Sequence, residues 1–307
     1  MITLPNIDGK IWQLEYRVAD ILKEYQTTGR VDIDLNSEGP CCQDIGLYDL
    51  LDYLQLEPTK VTIHTRNQLE KHDRYRIKIL PNHFIRMVAS RARDINVNKD
   101  NITKHFSCFI RRSNWARLWL ASQLPQDKTL MTFHYNGDDF HRVHIGLDDM
   151  LRQAATINDV QTAVDLLSIA PLTIEKKKLT YSILFPNDQS LVDFYEDFFC
   201  EIVCETYFSG NTFFLTEKTL RPIGAMTPFI IHGPVNFLQN LKELGYKTFD
   251  RWWSEEYDMY GHQLRIYKIQ EVIRQISSWS IEKIQTVNEE MQPILKHNRD
   301  ILLNSKE

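Results

Sequence analysis

No stretch of this 307-residue chain stays apolar over the roughly twenty residues needed to span a bilayer. Its opening, Met1-Ile2-Thr3-Leu4-Pro5, lacks the basic-then-apolar spelling of an export signal. Cysteine is scarce. The five thiols, Cys41, Cys42, Cys108, Cys200 and Cys204, are odd in number and irregular in spacing. That suits reduced thiols in a cytoplasmic compartment. Cys200 and Cys204 have no His or Cys pair at zinc spacing and lie in an apolar run, so burial is expected for both. Neither Gly-x-Gly-x-x-Gly nor a Walker sequence occurs, which argues against a dinucleotide dehydrogenase or a P-loop ATPase. Internal repeats and low-complexity tracts are also missing.

What is present is ordinary in bulk and organised in detail. Apolar residues make up 43% and charged residues 25%, as in a globular protein of about two domains. Helical and strand periods alternate, the signature of an α/β chain. Helices are expected over 11–25, 47–56, 84–91, 115–124, 147–155, 159–169 and 190–198, and over much of 263–299. Strands are expected over 31–35, 61–64, 76–80, 106–110, 130–134, 201–204 and 228–231. The polar segment 94–104 separates two patterned regions and sets the expected divisions: 1–103, 104–262, and a helical segment 263–307 packing back on both. The net charge is −5, yet residues 60–117 hold fourteen Lys and Arg against Glu70, Asp73, Asp94 and Asp100. That asymmetry raises the local potential for anions.

The most informative stretch is 204–233. Thr216 reads as an N-cap ahead of Glu217-Lys218, and the short helical pattern behind it carries Arg221 and ends near Gly224. A helix start offers free N–H groups and partial positive charge to an anion. Lys218 and Arg221, three residues apart, can share a helix face and add charge against phosphate. Glu217 would instead accept hydrogen bonds from sugar or ribose hydroxyls, so the stretch describes a site for a phosphorylated, hydroxylated ligand such as a nucleotide sugar. Pro222 is expected to kink the helix or restart it. In a second block, the strand Phe106-Ser107-Cys108-Phe109-Ile110 leads through Arg111-Arg112-Ser113-Asn114 into a helix carrying Arg117. Guanidinium groups leaving a strand's carboxyl end suit a diphosphate.

Thr216-Glu217-Lys218, Arg221 and Pro228-Phe229-Ile230 resemble, in order, the donor-binding motif of GT-B glycosyltransferases of the alpha-1,3-fucosyltransferase and exostosin-like type. The stretches 241–249 and 252–258 are similar to the continuation in bacterial and phage relatives. Residues 106–117 resemble the strand-turn-helix that opens the C-terminal domain there. The resemblance covers roughly 106–258. It implies a GT-B fold, two Rossmann-like domains facing across a cleft, and a nucleotide sugar as co-substrate. It further implies inversion, no metal and no other cofactor. Arg111, Arg112, Arg117, Glu217, Lys218 and Arg221 would bind the donor.

In such enzymes the base comes from an N-terminal-domain loop, because the acceptor hydroxyl must lose its proton as it attacks. Asn36-Ser37-Glu38-Gly39-Pro40, after the strand 31–35, makes Glu38 the candidate and Asp44 the second. Val31-Asp32-Ile33-Asp34-Leu35 contains Asp-x-Asp, the metal-binding spelling of the GT-A class, but the Glu-Lys block argues for the metal-independent class. Asp138-Asp139 and Asp148-Asp149 read as turn and helix-start residues. The stretch 133–144, rich in His and aromatics, and Tyr207 with Phe208, are further candidates for lining a nucleotide pocket. The acceptor is open between a glycan and a polyanion such as DNA bearing modified bases. The competing reading is a nucleic-acid-binding protein with an inactive transferase-like domain, in which Trp115, Tyr75 and Phe84 stack on bases beside the basic 60–117 stretch.

Overall fold

A computed structural model describes residues 1–4, 6–7, 10–11, 14–35, 38–93, 96–110, 114–133, 160–172 and 195–305. The fold is α/β, built on two parallel four-stranded sheets. It divides into two compact units, Met1–His83 with Ser209–Phe214, and Phe84–Phe208 with Leu215–Lys306.

The first unit pairs β1 (Ile2–Thr3), β4 (Val31–Asp34), β5 (Val61–Thr65) and β6 (Arg76–Ile79), all parallel and in that order. A small antiparallel pair, β2 (Asn6–Ile7) with β3 (Lys10–Ile11), lies between the first two in sequence. Strand alternation puts Ile2, Val31, Ile33, Val61 and Ile63 on one face. There they pack with Ile21 of α1 (Leu14–Thr28) and with Leu47 and Leu51 of α2 (Leu47–Tyr53). Ser209–Phe214 joins this unit through Asn67, which is fully buried. The Asn67 side-chain carbonyl accepts from Leu69 N at 3.1 Å and Phe213 N at 2.9 Å. Its amide donates to Asn211 O at 3.0 Å and Glu70 Oε2 at 3.2 Å.

In the second unit the order is β10 (Phe229–His232), β9 (Phe198–Cys204), β7 (Lys104–Ile110), β8 (Thr129–Phe133). Every residue of β9 is buried, as expected of a central strand covered on both faces. Around this sheet run α3 (His83–Ala92), α4 (Trp115–Ser122), α5 (Val160–Ile169), α6 (Glu217–Gly224), α7 (Phe237–Glu243), α8 (His262–Ser277) and α9 (Ile281–Asn304).

Several expectations shift. The units divide at His83/Phe84 rather than near residue 103 because α3 packs within the second unit. A Cβ placed on Gly224 of α6 would stand 3.0 Å from the Ala92 side chain, and Arg299 of α9 donates to Ala92 O at 2.6 Å. Phe198, expected as the end of a helix, begins β9 instead because Lys104 pairs with it, and the strand starts three residues earlier than expected. The C-terminal helical stretch is two helices, broken where Ser280 caps α9 by accepting from Lys283 N at 3.2 Å. Pro222 does not restart α6, which runs as one helix through it. The helix is only eight residues long and nearly all of it is buried, so packing offsets the one bond that Pro222 cannot donate. The expected helix over 147–155 lies outside the described residues. All five cysteines are free and buried.

Candidate functional site

The connections of the second sheet run in opposite directions from its centre. From β7 the chain proceeds to β8 on one side, and from β9 to β10 on the other. Such a reversal opens a crevice at the carboxyl ends of the two central strands, where open α/β sheets take their ligands. Two helices begin beyond those ends. Asn114 caps α4 by accepting from Arg117 N at 2.9 Å, and Thr216 caps α6 by accepting from Lys218 N at 3.1 Å. Each capped helix carries a cation in its first turn, Arg117 in α4 and Lys218 in α6.

The Glu-Lys pair is half-enclosed rather than solvated. Lys218 Nζ lies 2.9 Å from Glu217 Oε1, with side-chain exposures of 16% and 10%. The ammonium also donates to Thr206 Oγ1 at 3.3 Å and Thr216 Oγ1 at 3.4 Å. Burial works against charge on Glu217, but Lys218 outweighs it and holds the carboxyl below the usual range. Glu217 is therefore ionised at neutral pH, with free acceptor capacity beside the Lys218 ammonium.

Glu205, which sequence reasoning missed, ties the two helix starts together. It sits just past β9, 3% exposed, and its carboxylate accepts from the hydroxyls of Thr216 at 2.6 Å and Thr219 at 2.5 Å. Its backbone carbonyl accepts from Arg117 Nη2 at 2.9 Å. A carboxylate just past a largely apolar strand was the one local signal available. Phe208 follows closely, its ring stacked on His232 at 5.8 Å and edge-on to Trp115 at 5.9 Å. Arg265 on α8 donates to Phe208 O at 3.2 Å and fixes that turn.

Arg221 does not join Lys218. Its side chain is 6% exposed and its guanidinium is paired with Glu201, which is 1% exposed in the centre of β9. Arg221 Nε donates to Tyr195 Oη at 2.7 Å, and that hydroxyl donates to Glu201. Burial pushes the Glu201 carboxyl upward, with Arg221 pulling against it. Burial likewise opposes charge on Arg221, but Glu201 and Tyr195 prevail and raise its pKa. Arg221 thus anchors α6 to the sheet.

Lys99 extends this buried network. Its ammonium donates to Tyr195 O and, at 2.6 Å, to Phe198 O, and it lies 4.6 Å from the Phe198 ring centre. Burial lowers its pKa to about 7, against the pull of neighbouring acids such as Glu201. An unfolded Lys99 keeps its proton up to about pH 10.4, so between the two values the unfolded chain binds more protons. Stability contributed by this residue should therefore rise as pH increases from about 7 toward 10. Urea midpoints at pH 7 and 9.5 for the wild type and Lys99→Met check this: the variant should lose the rise, and equal slopes would contradict it.

No family model, curated protein or solved structure matches the chain.

The remaining candidates are distributed as follows. Arg111 and Arg112 lie outside the described residues, as do Asp138, Asp139, Asp148, Asp149 and the segment 134–144. In the first unit Glu38 is half-buried on the loop beyond β4, at the carboxyl edge of that sheet. The loop is fixed at Gly39, whose carbonyl accepts from Thr212 Oγ1 and whose Cα hydrogens face the Arg66–Asn67 backbone. A Cβ there would stand 2.1 Å from Asn67 N, so glycine is required by close approach. Asp44 is exposed, and a Cβ on Gly210 would stand 2.1 Å from its carboxylate. Asp32 accepts or shares a proton with His64 Nε2 at 2.9 Å, and that bond holds its carboxyl below the usual range. Among the described residues no group of three or more His, Cys, Asp or Glu could hold a metal ion.

Tyr75 is not free to stack on a nucleic-acid base. It is 3% exposed, its ring stacks on Tyr48 at 5.7 Å, and its hydroxyl donates to Asp52. Trp115 and Phe84 are half-buried, and the basic 60–117 stretch is divided between the two units. Among the described residues no helix is long and apolar enough to cross a membrane.

Proposed function

We propose that this protein is a glycosyltransferase of the GT-B arrangement, moving a sugar from a nucleotide-sugar donor to an acceptor hydroxyl. The observation that carries this reading is the pair of capped helix starts at the reversal point of the second sheet, bearing Arg117 and Lys218 and joined through Glu205. N–H groups at a helix start, a guanidinium and an ammonium are the donors that a diphosphate needs. Glu217, charged and beside Lys218, would accept hydrogen bonds from ribose or sugar hydroxyls. Arg111 and Arg112 would add to the diphosphate grip. Arg221 is engaged with Glu201 instead.

In the reaction the acceptor oxygen bonds to the anomeric carbon as the bond to the diphosphate oxygen breaks. Glu38, on a loop of the first unit, takes the hydroxyl proton. The negative charge left on the nucleoside diphosphate is met by Lys218 and Arg117, which are already oriented and need no reorganisation. Resemblance to the fucosyltransferase and exostosin-like type favours inversion without a metal, and an acceptor that is a glycan or a modified DNA base. The test is a panel of nucleotide sugars, followed by hydrolysis and by thermal shift. Binding of at least one nucleotide sugar or its diphosphate below millimolar concentration supports the reading; none binding removes it.

A further inference from the structure

Glu205 uses every polar group it carries. Its N–H donates to His232 O at 3.0 Å, fixing it beside β10. Its carbonyl accepts from Arg117 Nη2 at 2.9 Å. Oε1 accepts from Thr219 Oγ1 at 2.5 Å, and Oε2 accepts from Thr216 Oγ1 at 2.6 Å and Thr206 N at 3.3 Å. Both threonine side chains belong to the cap and first turn of α6, the turn that carries Lys218. One residue at the end of the central strand therefore fixes the guanidinium of one helix through its backbone and the first turn of the other through its side chain.

The chemistry of the carboxylate is specific. Thr216 Oγ1 already accepts from Lys218 N, so its own proton points outward and needs an acceptor. Thr219 presents a second proton to the other oxygen. A carboxylate offers acceptors on both of its oxygens. A glutamine would turn an NH2 toward one threonine and leave a buried hydroxyl without its acceptor. Thr219 and Thr216 are 0% and 1% exposed, so water cannot replace the lost partner.

We propose that Glu205 is a positioning residue of the anion site, holding Lys218 and Arg117 in the spacing that a diphosphate requires; this rests on the donor-site reading above. It touches neither substrate nor reacting atoms and acts through Lys218 and Arg117. The variant Glu205→Gln preserves volume and removes only the second acceptor.

The experiment has two arms. Calorimetry with UDP, GDP and inorganic pyrophosphate measures affinity in wild type, Glu205→Gln, Lys218→Ala and the double variant. Glu205→Gln should weaken binding about tenfold, a loss of about 1.4 kcal/mol. Added to Lys218→Ala it should cost much less than that, because the group it positions is gone. Fully additive losses would overturn the proposal, since a residue supporting only the fold has no reason to couple to Lys218. Amide hydrogen exchange forms the second arm and needs no ligand. Residues 217–220 should exchange faster in Glu205→Gln while α9 is unchanged; unaltered exchange at 217–220 would overturn the positioning role. Wild type that binds none of the three probes removes the donor reading alone and leaves exchange to decide for Glu205. Should Glu205→Gln fail to fold, Thr219→Val removes one of the two contacts and should shift both readouts in the same direction by less.

Discussion

Replacing Arg221 with Met should lower the free energy of unfolding by about 3–5 kcal/mol, the cost of stranding one partner of a buried ion pair. The stranded group is Glu201, 1% exposed in the middle of β9, with Tyr195 as its remaining partner. Burial already raises the Glu201 pKa, and without Arg221 it rises further. A carboxyl whose folded pKa is raised is destabilising while ionised and is relieved as pH falls through that pKa. The deficit of Arg221→Met should therefore shrink between pH 7 and pH 5, and adding Glu201→Gln should restore part of it at pH 7. Urea unfolding of the wild type and the two variants at both pH values measures this. A loss under about 1 kcal/mol, typical of surface substitutions, would show that Arg221 faces solvent or ligand and that the buried pair is misassigned.

The largest effect on turnover is expected at Glu38. Glu38→Gln keeps size and hydrogen-bonding capacity but cannot take a proton, so initial rates should fall about 10²–10⁴-fold, the usual contribution of a general base. Donor affinity should be unchanged, because Glu38 belongs to the first unit and the anion site is built from the second. Stability should change little: the neighbouring constraint is the Gly39 backbone, which the substitution leaves in place. Initial rates with the nucleotide sugar identified by the panel, beside calorimetry with its diphosphate, separate the two quantities. A variant retaining more than about a tenth of the rate would remove Glu38 from the mechanism, and Asp44→Asn would then take its place in the same assay.

Much of the architecture was legible because it follows local periods. Val31–Asp34, Val61–Thr65 and Thr129–Phe133 are strands where alternating or continuous apolar residues place them, and α3, α4 and α5 follow the helical period. The cap at Thr216 was legible for the same reason, since the Thr–Lys218 contact spans two residues. What failed depended on partners distant in sequence. Lys218 and Arg221 share a helix face by spacing alone, but Glu201, twenty residues before Arg221, decides that Arg221 turns inward. Phe198 became strand because Lys104 lies beside it. Pro222 was tolerated because α6 is packed between β9 and α9, a support that helix propensity does not describe. Glu205 had no local signature beyond its position after a largely apolar strand. Its meaning appears only once Thr216, Thr219 and Arg117 are brought around it.

The claim that a nucleotide diphosphate lies at the start of α6 is tested most directly by Lys218→Ala. Calorimetry with UDP and GDP should show binding weakened by about 1.5–3 kcal/mol, the range for hydrogen bonds to charged groups. Glu217, which is buried, loses its cation in this variant, so a fall in unfolding midpoint is expected alongside, with the fold retained. A folded Lys218→Ala protein that binds the diphosphate as tightly as wild type would contradict the placement of the donor at the Glu217-Lys218 pair.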